Sequence, residues 1–381
     1  MKKSTLYSLL SFVLLSSCNQ TTSSVSFNNL SSASSGALSN ETSFSSLSSS
    51  DSSPSEEDIN QVAQFLYNSF FGPCPSVVQY SRSASEFPSL LIQERSFLSD
   101  LGQKLTGYAC SYNNIALKGT LIISHGLGVG GFSSYLNIAD YFASKGYLVF
   151  GYDATANGKS EGDCANATEQ GVIDQSYAID YVKNDVKMGA LPLFLWGHSW
   201  GGYAVDTVLS VRKDVAGVIN CAGFNDPTSF FDYSFSLSFS AMPAYQAVRG
   251  EILSRFLALG RQKIGSPYTE YSSLSGFAAS STKIFALSGE EDKNVPSSVG
   301  YDLYKEKYGN DPRFSFLSLA GRSHFNLYCT DVARAYVEDY LAQHPADPTT
   351  RQVDYSSFDK SKAYELDLSV MEKMLSFYQT V

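Results

Sequence analysis

The sequence predicts a mainly parallel, doubly wound α/β sheet with an inserted cap. Two observations carry this expectation. Short apolar runs alternate with longer amphipathic segments between residues 119 and 319, and one aromatic-rich interval, residues 224–277, breaks that rhythm. Strands that alternate with helices pair in parallel through crossovers. Ligands of such sheets collect at the carboxyl ends of the strands, so the residues just after each strand are the ones to examine.

In chain order, Ser55-Glu56-Glu57-Asp58 reads as a capped helix start, with Ile59, Val62, Ala63, Leu66 and Phe70 at helical spacing until Gly72-Pro73. Leu90 to Leu98 and Lys104 to Tyr112 flank a polar turn and suggest an antiparallel hairpin. The alternation then gives strands at 119–124, 147–152, 193–196, 215–220, 283–287 and 314–319. Helices are expected at 134–144, 172–183, 201–211 and 297–308. Within the interruption, Phe231, Tyr233, Phe235, Leu237 and Phe239 alternate with Asp232 and serines, a period-two pattern that favours a strand. The length of the interval favours a helical cap instead, and the alternatives stay open. Ala247 to Leu259 is helical, with Val248, Ile252, Phe256 and Leu259 on one face. The extension 346–381 ends in a helix whose stripe of Leu368, Met371, Leu375 and Tyr378 reads as core packing.

The 381 residues are 43% hydrophobic and 17% charged, enough apolar material for a large core. Net charge is −10 and basic residues come no denser than pairs, so nucleic acid is not an expected partner. Lys2-Lys3, the apolar run Leu6 to Leu15 and Ser16-Ser17-Cys18 resemble a bacterial lipoprotein signal, too short to span a bilayer comfortably. The expected organisation is a signal over residues 1–17 and a lipidated Cys18 that opens a Ser-rich flexible tether to residue 55. A catalytic or binding domain over 56–381 follows, with its cap at about 224–277. Such a protein would work outside the cytoplasm, anchored to a membrane by its acyl chains. Removing Cys18 leaves Cys74, Cys110, Cys164, Cys221 and Cys329 at wide spacings, which suits no zinc site; disulfides and buried free thiols both remain open. No metal motif appears, and Gly126 to Gly131 lacks the acidic ribose partner of a dinucleotide fingerprint, so no cofactor is expected.

Five loops after strands are chemically loaded: "HGLG" from His125, "GYDATANGKSEG" from Gly151, "GHSWGG" from Gly197, "SGEEDKNVP" from Ser288 and "GRSH" from Gly321. In this order and strand context they resemble the α/β-hydrolase superfamily, and within it the serine aminopeptidase and monoacylglycerol-lipase-like group. The likeness runs from about Leu90 to Gln343. It implies that Ser199, on a tight strand-to-helix turn flanked by Gly197 and Gly201, is a nucleophile.

A hydroxyl needs a base to take its proton. Of the four histidines, His125 would brace its loop, His198 points away from Ser199, and His344 follows the last helix of the sheet. His324, in a loop after the last strand, becomes the base both by elimination and by resemblance. Glu290, Glu291 and Asp292 all follow a strand; the resemblance places the orienting acid at Asp292. It also implies an oxyanion hole from the backbone N–H groups of Leu127 and Trp200, whose side chains would line an acyl pocket, with Gly128, Gly130 and Gly131 letting that loop approach the substrate.

Asp153 would belong to a structural loop. Phe231, Phe235, Phe239, Met242 and Tyr245 would serve as lid packing, an acyl groove, or both. The expected activity is cleavage of carboxylic esters through an acyl-enzyme, on a small-molecule ester or short peptide. The alternatives are a serine aminopeptidase, which would need an acid such as Asp232 or Glu251 for the substrate amine, and a non-catalytic surface binding lipoprotein.

Overall fold

A computed structural model describes residues 53–75, 79–345, 347 and 353–381. The expected signal segment, Cys18 and the expected tether as far as residue 52 lie outside the described residues. Helix α1 (Glu56–Phe71) opens the body, capped by Ser55, whose hydroxyl accepts from the Asp58 N–H while the Asp58 carboxylate accepts from Ser55.

The hairpin follows as β1 (Leu91–Leu98) and β2 (Lys104–Ser111), antiparallel with Leu91 opposite Ser111 and Leu98 opposite Lys104. Then come β3 (Gly119–Ser124), α2 (Leu136–Ser144), β4 (Tyr147–Tyr152), α3 (Thr168–Asn184), β5 (Leu193–His198), α4 (Trp200–Thr207) and β6 (Gly217–Cys221). After the cap the alternation resumes with β7 (Lys283–Gly289), α7 (Tyr301–Tyr308), β8 (Phe314–Leu319) and α8 (Asp331–Gln343). The strand order is β8-β7-β6-β5-β3-β4-β2-β1, parallel from β8 through β4 and antiparallel at β4–β2 and β2–β1.

Strands β3 to β6 are buried along their whole length. Successive side chains point to opposite faces, so Ile122 and Leu195 join the core on one face while Leu121, Ile123, Phe194 and Trp196 join the core on the other. This explains why the strands read as continuous apolar runs rather than as alternating ones.

The cap is helical. Its first helix, α5 (Pro227–Ser238), is capped by Asp226 with Pro227 in the first turn; a short helix at Pro243–Ala247, α6 (Arg249–Arg261) and short helices at Tyr268–Glu270 and Ser273–Ala279 follow. The alternating run at 231–240 mimics a strand because Phe231, Phe235 and Phe239 are also spaced four apart. These three are buried, in ring contact with Phe70, Phe256 or Tyr245. The intervening serines turn their hydroxyls onto helix carbonyls, Ser234 to Phe230 and Ser238 to Ser234, and so satisfy their own polar demand within the helix. Helix α1 therefore backs the cap, a contact no local pattern announces.

The final helix, α9 (Leu368–Gln379), buries Val370, Met371, Met374, Phe377 and Tyr378. Leu368, expected in the packed stripe, is 61% exposed, so the buried face is rotated from the expected one. The Tyr378 hydroxyl donates to the Leu195 carbonyl of β5 at 2.6 Å, pinning the strand that leads to Ser199. Cys110, Cys164, Cys221 and Cys329 are free thiols.

Candidate active site

β5 ends at His198 and α4 begins at Trp200, leaving Ser199 alone to make the turn. It does so at φ 58°, ψ −118°, a conformation that side chains other than glycine rarely adopt and that costs roughly 1–3 kcal/mol. The strain is held by Ser199 N–H donating to Cys221 O at 2.9 Å and Tyr203 N–H donating to Ser199 O at 3.0 Å. The flanking glycines are dictated by close approach: a Cβ at Gly197 would lie 2.1 Å from Gly201 O, and one at Gly201 would lie 2.1 Å from Ser124 O. Among the described residues the Ser199 hydroxyl has no hydrogen-bond partner, and it opens into a cavity that His324 also lines.

His324 Nδ1 lies 2.7 Å from Asp292 Oδ2, both side chains being buried. The other carboxylate oxygen accepts from the Asn294 and Val295 N–H groups, each at 2.9 Å. Asp292 is thus clamped on one side and presented to the imidazole on the other. Glu290 and Glu291 are exposed, and Glu290 takes a hydrogen bond from Ser318. Geometry therefore distinguishes the three acids that the sequence alone left as neighbours. The His324 loop is tied down through Arg322, which bridges Asp331 and Asp367, the latter at 2.9 Å.

Facing the elbow is the loop after β3. His125 Nε2 accepts from the Ala154 N–H at 2.9 Å while Nδ1 donates to Gly126 O at 2.7 Å, and burial holds its pKa below the ordinary value, so it is a neutral brace. Asp153 accepts from the Phe132 and Lys159 N–H groups and from the Tyr108 hydroxyl, the structural role expected of it. Gly131, at φ 110°, serves this carboxylate: its Cβ would fall 2.2 Å from Asp153 Oδ1. Only Gly128 of the three expected glycines lines the cavity. The N–H groups of Leu127 and Trp200 have no hydrogen-bond partner among the described residues, which leaves two donors next to the elbow.

The side chain of Trp200 departs from expectation. Its indole is 2% exposed, donates to Thr168 O at 2.7 Å and lies over Gly171, where a Cβ would come within 2.7 Å of the ring. A first-turn residue of α4 points back against α3, so Trp200 packs under the site and does not line it. Leu127 does line it.

Phe231, Phe235 and Phe239 are cap packing, and Met242 and Tyr245 also lie off the cavity. Its cap wall is the other face of α5, Phe230, Tyr233, Leu237 and the two back-bonded serines. Tyr80 and Phe325, which sequence reasoning missed, close the opposite side and stack on each other at 4.8 Å. The cavity volume is about 60 Å³, room for a few water molecules at the mouth of the turn.

The chain matches the sequence model of the family described as Serine aminopeptidase, S33, over residues 116–261. The human protein ABHD12B is 22% identical over 250 residues, 64% of this chain and 66% of that relative's length, just under two thirds of it. An esterase of Pyrococcus furiosus has a similar structure in two crystal forms, with TM-scores of 0.53 and 0.51 and 16% identity in each. The likeness covers 72% and 71% of this chain and 95% and 94% of the esterase. Sheet order, strand-to-helix turn and structural likeness agree that this chain has the α/β-hydrolase fold.

Proposed function

We propose that this protein is a serine hydrolase that cleaves carboxylic esters through an acyl-enzyme. The observation that carries the reading is the strained Ser199 opening into one cavity with His324, whose far nitrogen is held 2.7 Å from the buried Asp292. Ser199 Oγ attacks the ester carbonyl carbon as His324 Nε2 takes its proton, and Asp292 stabilises the imidazolium. The carbonyl oxygen becomes an oxyanion that accepts from the Leu127 and Trp200 N–H groups, each such donor contributing about 3 kcal/mol in the transition state. Collapse expels the alcohol, which receives the proton from His324, and water then releases the acid by the same route.

Ester cleavage is favoured over the aminopeptidase alternative by charge. Asp232 is paired with Arg249 at 2.9 Å, and Glu251 is exposed and faces Arg255 at 3.9 Å. Neither lines the cavity, whose charged wall residue is Lys293, so among the described residues that line it none offers a counter-charge to a substrate ammonium. The family match favours the second reading. Purified protein is expected to turn over p-nitrophenyl butyrate at least tenfold faster, in kcat/KM, than proline p-nitroanilide; the reverse ratio would establish the aminopeptidase. Labelling by a fluorophosphonate that spares Ser199→Ala would dispose of a purely binding role.

The charge, apolar run and Cys18 of the first eighteen residues support a lipid-anchored, extracytoplasmic enzyme. In a bacterial host fed labelled palmitate, the full chain is expected to incorporate label and fractionate with membranes, while Cys18→Ser does neither. Label retained by the variant would reject the anchor.

A further inference from the structure

Two residues that the proposed chemistry does not use connect its separate parts. Gly126 N–H donates to the Tyr135 hydroxyl oxygen at 3.1 Å, that oxygen lies 2.8 Å from His198 Nδ1, and His198 Nε2 lies 3.0 Å from the carbonyl oxygen of His324. The directions of these bonds are forced. A carbonyl only accepts, so His198 carries a proton on Nε2. Burial, reinforced by the neighbouring His324, pushes its pKa well below 6.5, so that proton is its only one and Nδ1 accepts. Tyr135 must then donate to Nδ1 while accepting from Gly126, and burial, which raises its own pKa, keeps that hydroxyl protonated.

The result is a one-way chain of hydrogen bonds, all of it buried. It runs from the loop that presents the Leu127 N–H, through the residue immediately before Ser199, to the backbone of the base. The rings of His198 and His324 lie 4.6 Å apart. A neutral His198 tolerates an imidazolium at that distance, where a charged one would repel it.

We propose that Tyr135 and His198 are positioning residues: their hydrogen-bonded strut sets His324 and the Leu127 N–H at the separation the transition state requires. The inference rests on the assignment of Ser199, His324 and Asp292 as the catalytic groups. Its physical basis is the steep dependence of rate on placement, in which an error of about 1 Å costs on the order of 100-fold. Loss of the strut frees the base loop and the oxyanion loop to move independently; His198 is one of many residues that line the cavity, so the larger effect falls on kcat.

The test compares His198→Leu, His198→Gln and Tyr135→Phe with wild type and Ser199→Ala on p-nitrophenyl butyrate, with active sites counted by fluorophosphonate titration. Glutamine places an amide N–H where Nε2–H stood; leucine does not. His198→Leu and Tyr135→Phe are expected to lower kcat per titrated site by roughly 10- to 100-fold with KM within about twofold, and His198→Gln to recover most of that loss.

Equal rates for the leucine and glutamine variants would overturn the strut, as would a kcat per titrated site unchanged in Tyr135→Phe. Tyr135→Phe removes a single oxygen and keeps the test open should His198→Leu fail to fold. Equal turnover by wild type and Ser199→Ala would instead sink the catalytic assignment, and the strut with it. A dead Ser199→Ala beside a fully active His198→Leu would sink the strut alone.

Discussion

Ser199→Ala is expected to lower kcat for p-nitrophenyl butyrate by roughly 10⁴-fold or more while the protein stays folded. In the proposed reaction the Ser199 oxygen forms the acyl-enzyme, and what survives its removal is binding and oxyanion stabilisation around an absent nucleophile. Wild-type turnover in the variant would reject the assignment. The backbone supplies a second readout. Alanine keeps the Cβ and therefore the strain at φ 58°, whereas glycine adopts that region freely. Ser199→Gly is accordingly expected to be more stable than Ser199→Ala by about 1 kcal/mol in denaturant unfolding, though equally inactive. Equal stabilities would mean that the turn is not strained in solution.

Asp292→Asn is expected to lower kcat by roughly 10³- to 10⁴-fold. Oδ1 already accepts from the Asn294 and Val295 N–H groups, so in asparagine the amide oxygen takes that place and the NH2 faces His324. A donor opposite Nδ1 moves the imidazole proton to Nε2, the nitrogen that must accept from Ser199. The exposed neighbours are the control: Glu290→Gln and Glu291→Gln are expected to retain kcat within about twofold. A comparable loss from either would shift the acid away from Asp292.

Much of this arrangement was legible because it rests on local rules. The capping box at Ser55, the hairpin around residues 99–103 and the run of short buried strands each follow from a few adjacent residues, and the structure has all of them. The cap was ambiguous because phenylalanines at every second position also satisfy a four-residue spacing; Asp226-Pro227, a helix-start signal, was present and would have tipped the reading. The choice among Glu290, Glu291 and Asp292 rested on resemblance, since nothing in three consecutive acids says which one the chain will bury.

Outside the cap, periodicity and backbone sterics within a few residues already set the order of strands and helices, the loops that carry Ser199, Asp292 and His324, and the need for glycine beside the turn. Tertiary structure alone decided where side chains point once elements pack. It sent the Trp200 indole into the space that Gly171 leaves in α3. It set the opposite face of α5 toward the cavity, and it brought Tyr135, His198 and the His324 carbonyl into one line from three distant segments. The reason is physical: local propensity acts through neighbours in the chain, whereas the pairing of buried polar atoms is settled only by which elements meet.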